Sequence, residues 1–134
     1  MAPVRVVFAC LHNAGRSQMA AAFFNAGANP AKARAVSAGT RPDDRVNPVV
    51  VDAMAELGID LSSARPQRLT EDLAAGAALL VTMGCGEECP YVPGLRRADW
   101  ALADPKGQPL ARVREIRDDV RGRVAALVEA EGWA

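Results

Sequence analysis

The segment at residues 10–17 has the residue types and spacing of a site that joins a nucleophile to a bound anion. Its pattern is Cys-x5-Arg-Ser, between an apolar run and the start of a helical pattern. Backbone N–H groups in such a turn can converge on one oxyanion, which also faces the positive end of the helix dipole. Arg16 adds a planar fork of donors for two oxygens. Because this field favours a thiolate, we predict that Cys10 is a nucleophile.

The rest of the segment is predicted to bind the oxyanion. The residues expected to contribute donors to it are Leu11, His12, Asn13, Ala14, Gly15, Arg16 and Ser17. Ser17 can donate its hydroxyl to the Cys10 sulfur, and Asn13 and Gly15 tolerate the left-handed backbone that such a loop needs. His12 has no identifiable partner that would make it a base or a ligand. The alternative is that Cys10 only ends a buried strand as a small apolar residue.

Asp104 is a candidate general acid. It precedes Pro105 and Gly107 in a predicted turn, from which a carboxyl group can lean over a pocket. A protonated carboxyl there can give its proton to a departing oxygen. An aspartate that only stabilises the turn fits the same residues, so both roles stay open at this point.

Cys85 and Cys89 complete an odd set of three cysteines. Such a set, in a chain that begins without the pattern of a secretory leader, favours catalytic or metal-binding thiols over disulfide cross-links. A zinc site would need Cys10 and His12 beside the pair, and we expect no bound metal. Two purely structural cysteines are the other alternative, although the glycines and proline around them are unsuited to a packed core.

The elements that position these residues alternate between short β-branched runs and longer helical patterns. This alternation is typical of an α/β fold with a mainly parallel sheet covered on both faces. Strands are predicted at residues 4–9, 33–37 and 77–83, and a fourth around Trp100. The first of these is apolar nearly throughout, as a central buried strand should be.

Helix starts are predicted at the N-caps Ser17 and Asn47 and at Thr70, and the first two helices end at Gly27 and Gly58. Pro48 adds a first-turn proline to the second helix. The last helix begins at Leu110 and carries apolar residues at steps of three and four: Val113, Ile116, Val120, Val124 and Leu127.

Composition limits the class of protein. The chain has 134 residues, 50% of them apolar and 24% charged, which predicts a single domain over residues 1–134. Sixteen basic and sixteen acidic residues balance, so we expect neither nucleic acid nor a membrane surface as a partner. No apolar stretch approaches the length of a bilayer span. We expect a monomeric cytoplasmic protein.

Several further motifs extend the pattern of the first loop. They are Gln-Met-Ala after Ser17, Ser-Ala-Gly-Thr at 37–40, Asn-Pro at 47–48, the run at 81–90 that contains both later cysteines, and Asp-Pro at 104–105. With these motifs the chain resembles an arsenate reductase built on the low-molecular-weight tyrosine phosphatase fold. The resemblance implies a three-layer α/β/α domain with a four-stranded parallel sheet. It also implies Cys10 as nucleophile, Arg16 as oxyanion clamp and Asp104 as general acid.

The resemblance also implies a redox relay through the later cysteines. Reduction of arsenate needs two electrons, which a dithiol supplies when it becomes a disulfide. We expect Cys85 to attack first and Cys89 to exchange with an external reductant, thioredoxin or a small thiol such as mycothiol. Some relatives hold potassium with an acidic residue where this chain has Ala21, which argues against a potassium site.

Two other functions stay open from the sequence. One is a tyrosine phosphatase, although Lys106 and Gly107 follow Asp-Pro where those enzymes usually carry tyrosines, and aromatic residues make up only 4% of the chain. We expect the reductase itself to have weak phosphatase activity as well. The other is a non-catalytic oxyanion-binding domain or phosphocysteine carrier, which would need neither Asp104 nor the later cysteines.

Overall fold

The sheet is four-stranded and parallel in the part of the chain that the structure describes. The structure, a computed structural model, describes residues 2–84 and 92–134. Its strands are β1 (Val4–Cys10), β2 (Ala33–Gly39), β3 (Leu79–Thr82) and β4 (Arg96–Asp99). They pair in the order β2-β1-β3-β4, and every pairing is parallel. The predicted α/β class and parallel sheet are confirmed.

Helices cover both faces of this sheet. The described helices are α1 (Arg16–Gly27), α2 (Pro48–Ala55), α3 (Glu71–Ala75) and α4 (Leu110–Glu131). Side chains of α1, α2 and α4 share one buried cluster with one face of β1, while α3 joins a smaller cluster on the other face. The three-layer α/β/α arrangement is therefore confirmed.

Strand β1 is the central strand and the most buried. Because successive side chains alternate across a sheet, Val6, Phe8 and Cys10 face the larger cluster, and Val7 and Ala9 face the smaller one. All five are at most 2% exposed. This explains the unbroken apolar run in the sequence, and it holds Cys10 at the end of a strand that packs on both faces.

The fourth strand begins and ends before the predicted position. It covers Arg96–Asp99 and ends just before Trp100. Its charged side chains are compatible with a strand at the exposed edge of the sheet. The Trp100 backbone N–H donates to the Thr82 carbonyl at 2.8 Å. The Trp100 ring packs on Phe8, with ring centroids 5.8 Å apart.

Other boundaries shift by a few residues. Strand β3 begins at Leu79 instead of residue 77, and α2 ends at Ala55, after which a turn leads to Gly58. Asn47 caps α2 as predicted, since its side chain accepts from the Val49 N–H at 2.9 Å. Thr70 caps α3 in the same way through the Leu73 N–H.

Helix α4 has the predicted apolar face, with two differences. Val128 is buried, while Leu127 is only half-buried. Arg117 is also buried on this face, because its guanidinium donates to the Ala53 carbonyl at 2.8 Å, near the end of α2. Charged residues occupy the outer face, and no helix within the described ranges is long and apolar enough to span a membrane.

Candidate active site

The loop after β1 turns sharply into α1 through one left-handed residue. Asn13 has a φ of 50°, as predicted, and is fully buried. The same expectation for Gly15 is wrong, because its φ is −147°. Glycine is required there for space: a Cβ at residue 15 would lie 2.6 Å from Pro105 Cγ. The loop is therefore shaped by one strained residue and one close contact.

The loop carbonyls are held by the segment that leads to α2. The carbonyls of residues 11, 12 and 14 accept bonds of 2.8, 3.0 and 2.9 Å from the backbone N–H groups of Arg41, Asp43 and Asn47. The N–H groups of residues 12–15 donate to no group in the described part of the chain. These N–H groups, together with the start of α1, are available to an oxyanion.

A chain of hydrogen bonds ends at the Cys10 sulfur. The Gln67 backbone N–H donates to Asn13 Oδ1 at 2.9 Å, which fixes the orientation of the Asn13 amide. Asn13 Nδ2 then donates to Ser17 Oγ at 2.7 Å, and Ser17 Oγ lies 2.9 Å from Cys10 Sγ. Because the Ser17 oxygen already accepts from Asn13, its own proton is free to point at the sulfur. This is the contact between Ser17 and the Cys10 sulfur that is expected from the sequence.

Ser17 does not cap α1, contrary to prediction. The helix begins at Arg16, and its N-cap is Gly15, which has no capping side chain. Ser17 lies within the first turn, where its hydroxyl is held between Asn13 and Cys10. The tertiary contact has replaced the local capping role.

Two glutamines that the sequence analysis missed anchor Asn13. Gln18 Nε2 lies 3.1 Å from the Asn13 carbonyl, 3.2 Å from Asn13 Oδ1 and 3.3 Å from the Arg65 carbonyl. Gln67 also reaches β2, where its Nε2 donates to the Ser37 carbonyl at 2.8 Å. Gln18 follows the loop directly in sequence, but nothing in the sequence connects Gln67 to it.

Arg16 and Asp104 meet across the mouth of the loop. Arg16 Nη2 lies 3.6 Å from Asp104 Oδ2, with 7% of the arginine side chain exposed and 45% of the aspartate. The other side of the guanidinium lies against Gly84, two residues after the end of β3. The site therefore has a buried cation and a solvent-facing carboxyl group.

Asp104 fits both roles that the sequence left open. Its Oδ1 accepts from the Lys106 backbone N–H at 3.0 Å, which stabilises the turn. Its Oδ2 faces Arg16, and Pro105 packs on Gly15. One carboxylate oxygen thus fixes the turn while the other faces the anion loop.

These groups line one pocket of about 350 Å³, in the size range of small-molecule sites. Its lining residues are Cys10, His12, Ala14, Gly15, Arg16, Asp43, Asp44, Arg45, Asn47, Pro48, Asp104, Pro105, Lys106 and Gly107. Leu11, Asn13 and Ser17, also expected to bind substrate, are not among them. Asn13 and Ser17 are fully buried and support the wall of the pocket from behind.

His12 lies at the rim of the pocket, and one of its ring nitrogens makes a hydrogen bond. Its Nδ1 is 3.2 Å from the Arg41 carbonyl and 3.7 Å from Asp43 Oδ1. A carbonyl can only accept, so the Nδ1 position carries a proton that it donates. His12 therefore has the partner that the sequence did not reveal, although that partner is a backbone atom.

Cys85 and Cys89 lie outside the described residues, so the structure does not test the predicted relay. The zinc alternative depends on the same two cysteines. Within residues 2–84 and 92–134, no group of three or more metal-ligating side chains is close enough to hold an ion. Ala21, the residue that argues against a potassium site in the sequence, packs in the larger apolar cluster.

Comparison with known proteins extends the likeness to nearly the whole chain. The sequence profile of the family described as low molecular weight phosphotyrosine protein phosphatase matches residues 5–131. A glutaredoxin arsenate reductase from Synechocystis is 33% identical over 127 residues, which are 92% of this chain and 95% of the relative.

Solved structures give the same fold. A thioredoxin-dependent arsenate reductase from Corynebacterium glutamicum superposes with a TM-score of 0.83 at 35% identity, over 96% of this chain and 62% of the longer relative. The YwlE arginine phosphatase from Geobacillus stearothermophilus superposes with a TM-score of 0.82 at 26% identity, over 97% and 94% of the two chains. This chain therefore belongs to the low molecular weight phosphotyrosine protein phosphatase family, in which its relatives include arsenate reductases.

Proposed function

We propose that the protein reduces arsenate to arsenite. The observation that carries the proposal is the convergence of Cys10, Arg16 and Asp104 on one pocket, with the Ser17 hydroxyl 2.9 Å from the Cys10 sulfur. These are the groups that nucleophilic attack on a tetrahedral oxyanion requires. The arsenate reductases among the relatives support arsenic as the reacting centre.

In the first step the Cys10 thiolate attacks arsenic. A sulfur–arsenic bond forms and the bond from arsenic to a hydroxyl group breaks, while Asp104 gives the departing hydroxyl a proton so that it leaves as water. Arg16 and the loop N–H groups hold the remaining oxygens. Arsenic stays in its oxidised state in this covalent adduct.

Reduction follows when a second thiol attacks the Cys10 sulfur. The electron pair of the sulfur–arsenic bond passes to arsenic, which leaves as arsenite, and the two sulfurs form a disulfide. We propose Cys85 as this second thiol and Cys89 as the third, which moves the disulfide to the pair Cys85 and Cys89. An external thiol reductant, thioredoxin or a small thiol, then restores the dithiol.

The names of two relatives support a thiol reductant without fixing which one. One relative is described as thioredoxin-dependent and another as a glutaredoxin arsenate reductase. The chemistry also needs a compartment that keeps thiols reduced, so we propose that the protein acts in the cytoplasm.

Thiol counting tests the reduction directly. Reduced protein mixed with excess arsenate and no reductant should lose two free thiols per molecule and release one arsenite. Cys10→Ser should abolish both changes. A wild-type protein that loses no thiols would contradict the proposal.

Disulfide mapping by mass spectrometry tests the order of the relay. After one turnover, Cys89→Ser should hold a disulfide between Cys10 and Cys85, and Cys85→Ser should stall at the adduct. A Cys10 to Cys89 disulfide formed at the normal rate in Cys85→Ser would reverse the order.

A phosphatase is the second candidate, favoured by the likeness to the YwlE arginine phosphatase. Ester or phosphoramidate cleavage needs only Cys10, Arg16 and Asp104. Weak phosphatase activity should therefore survive in Cys85→Ser and Cys89→Ser, measured with a chromogenic aryl phosphate. If only this activity is found and arsenate consumes no thiols, the phosphatase is the function. A protein with neither activity would be an oxyanion-binding or phosphocysteine-carrier domain.

A further inference from the structure

Gly84 lies where the end of β3 meets the guanidinium of Arg16. The backbone that leads to it is anchored, because Met83 is fully buried and its N–H donates to the Ala9 carbonyl at 2.7 Å. Ala9 directly precedes Cys10 on the central strand. The position of Gly84 is therefore set by the same strand that ends in the predicted nucleophile.

The contact leaves no room for a side chain. A Cβ at residue 84 would overlap Arg16 Nη1 and lie 3.3 Å from Arg16 Cζ. Gly84 also has a φ of +91°, a conformation that favours glycine. Any other residue there must displace the guanidinium.

The Arg16 guanidinium cannot move and still direct its donors at the same point of the anion loop. It is planar, so a push on Nη1 moves the whole fork, and its Nη2 already lies 3.6 Å from Asp104 Oδ2. Because the displaced atom is the end of a long side chain, the fold can accommodate the shift. The oxyanion site cannot, since two-pronged recognition depends on the direction of the fork.

We propose that Gly84 is a positioning residue for oxyanion binding: its missing side chain sets the place of the Arg16 fork in the anion loop. The assignment rests on the oxyanion site of the proposed function and not on the cysteine relay. It therefore applies equally to arsenate and to inorganic phosphate.

A matched pair of variants separates the contact from the backbone strain. Gly58 has a φ of +77°, and among the described residues no atom lies within 4 Å of where its Cβ would stand, so Gly58→Ala carries a similar strain without the overlap. Calorimetric titration of the full chain with arsenate and with inorganic phosphate should give dissociation constants about tenfold or more higher in Gly84→Ala, the effect of a lost charged hydrogen bond. Gly58→Ala should stay within about twofold of wild type.

A double-mutant cycle tests whether the effect of Gly84→Ala on binding depends on Arg16. In an Arg16→Lys background, Gly84→Ala should weaken binding no further, because the fork that it displaces is gone. Gly84→Asn serves as a second variant, since asparagine tolerates a left-handed backbone and still carries a Cβ.

Three results would overturn the assignment. One is equal affinity in the Gly84 and Gly58 variants, and another is an undiminished effect of Gly84→Ala in the Arg16→Lys background. The third is a wild type that binds neither oxyanion, which would remove the proposed site as well. In the first two cases the proposed function stands, because wild type still binds.

Discussion

Pro105 packs on Gly15 so closely that the turn carrying Asp104 and the anion loop share one surface. A Cβ at residue 15 would lie 2.6 Å from Pro105 Cγ and 3.6 Å from Val50 Cγ2. The contact with Val50 is an ordinary one, but the stiff ring of Pro105 would have to move. The distance between Asp104 and Cys10 therefore depends on the absence of a side chain at Gly15.

Gly15→Ala should separate the two catalytic groups. An added Cβ would lie 2.6 Å from Pro105 Cγ, so the turn that carries Asp104 has to move away from the loop. We expect kcat/KM for arsenate to fall about a hundredfold, the order of effect of a 1 Å misplacement. Steady-state kinetics of the full chain with excess reductant measures it.

Gly122→Ala is the control for that change. Gly122 lies within α4, where no described atom would be close to an added Cβ, so alanine should stabilise the helix and leave kcat/KM unchanged. Normal activity in Gly15→Ala would show that the turn can move away without cost.

Ser17→Ala should slow the reaction of Cys10 with iodoacetamide. The substitution removes the donor 2.9 Å from the sulfur, and the thiolate loses a hydrogen bond. We expect a rate about tenfold lower at neutral pH. The measurement uses a background with Cys85→Ser and Cys89→Ser, so that only Cys10 reacts. Ser63→Ala, at an exposed serine, is the control; equal rates in the two variants would exclude a role for the Ser17 hydroxyl.

Asp104→Asn should lower kcat while keeping the turn intact. The amide oxygen can still accept from the Lys106 N–H, but the side chain can no longer supply a proton. A fall in kcat of about 10²- to 10⁴-fold is expected for a lost general acid. Asp72→Asn, in α3 and exposed, provides the control. A kcat within twofold of wild type would leave Asp104 with its turn role alone.

Glu56→Gln should destabilise the protein at neutral pH and not in strong acid. Side-chain hydrogen bonds from Arg114, and next from Arg117, lower the pKa of Glu56 from 4.5 to about 2. Since the folded-state pKa is the lower one, this contribution is complete above pH 4.5 and is lost as the pH falls towards 2. Denaturant unfolding of wild type and variant should therefore converge across that window.

The control for Glu56 is Glu115→Gln, which removes an exposed ion pair with Arg112. Its effect should be small at every pH. A constant difference between wild type and Glu56→Gln from neutral to acid pH would contradict the charge-based explanation.

Local signals in the sequence predict most of the elements. The apolar run of β1 and the caps at Asn47 and Thr70 depend only on neighbouring residues, so they are visible without a structure. The capping role predicted for Ser17 is wrong because its partners, Cys10 and Asn13, come from the folded loop. The tight contacts at Gly15 and Gly84 escape prediction for a different reason, since their partners, Pro105 and Arg16, lie far away along the chain.

The two tryptophans of the chain pack against the same apolar cluster at different points. Trp100 packs on Phe8 in the central strand, two residues before Cys10, whereas Trp133 packs on Phe24 of α1, with ring centroids 5.7 Å apart. Trp133 also accepts from the Asn29 N–H through its carbonyl, which ties the end of the chain to the loop after α1. Variants that keep a single tryptophan thus offer two fluorescence signals, one from the sheet beneath the nucleophile and one from the helical layer at the terminus. If anion binding tightens only the sheet, the Trp100 emission alone will respond to titration.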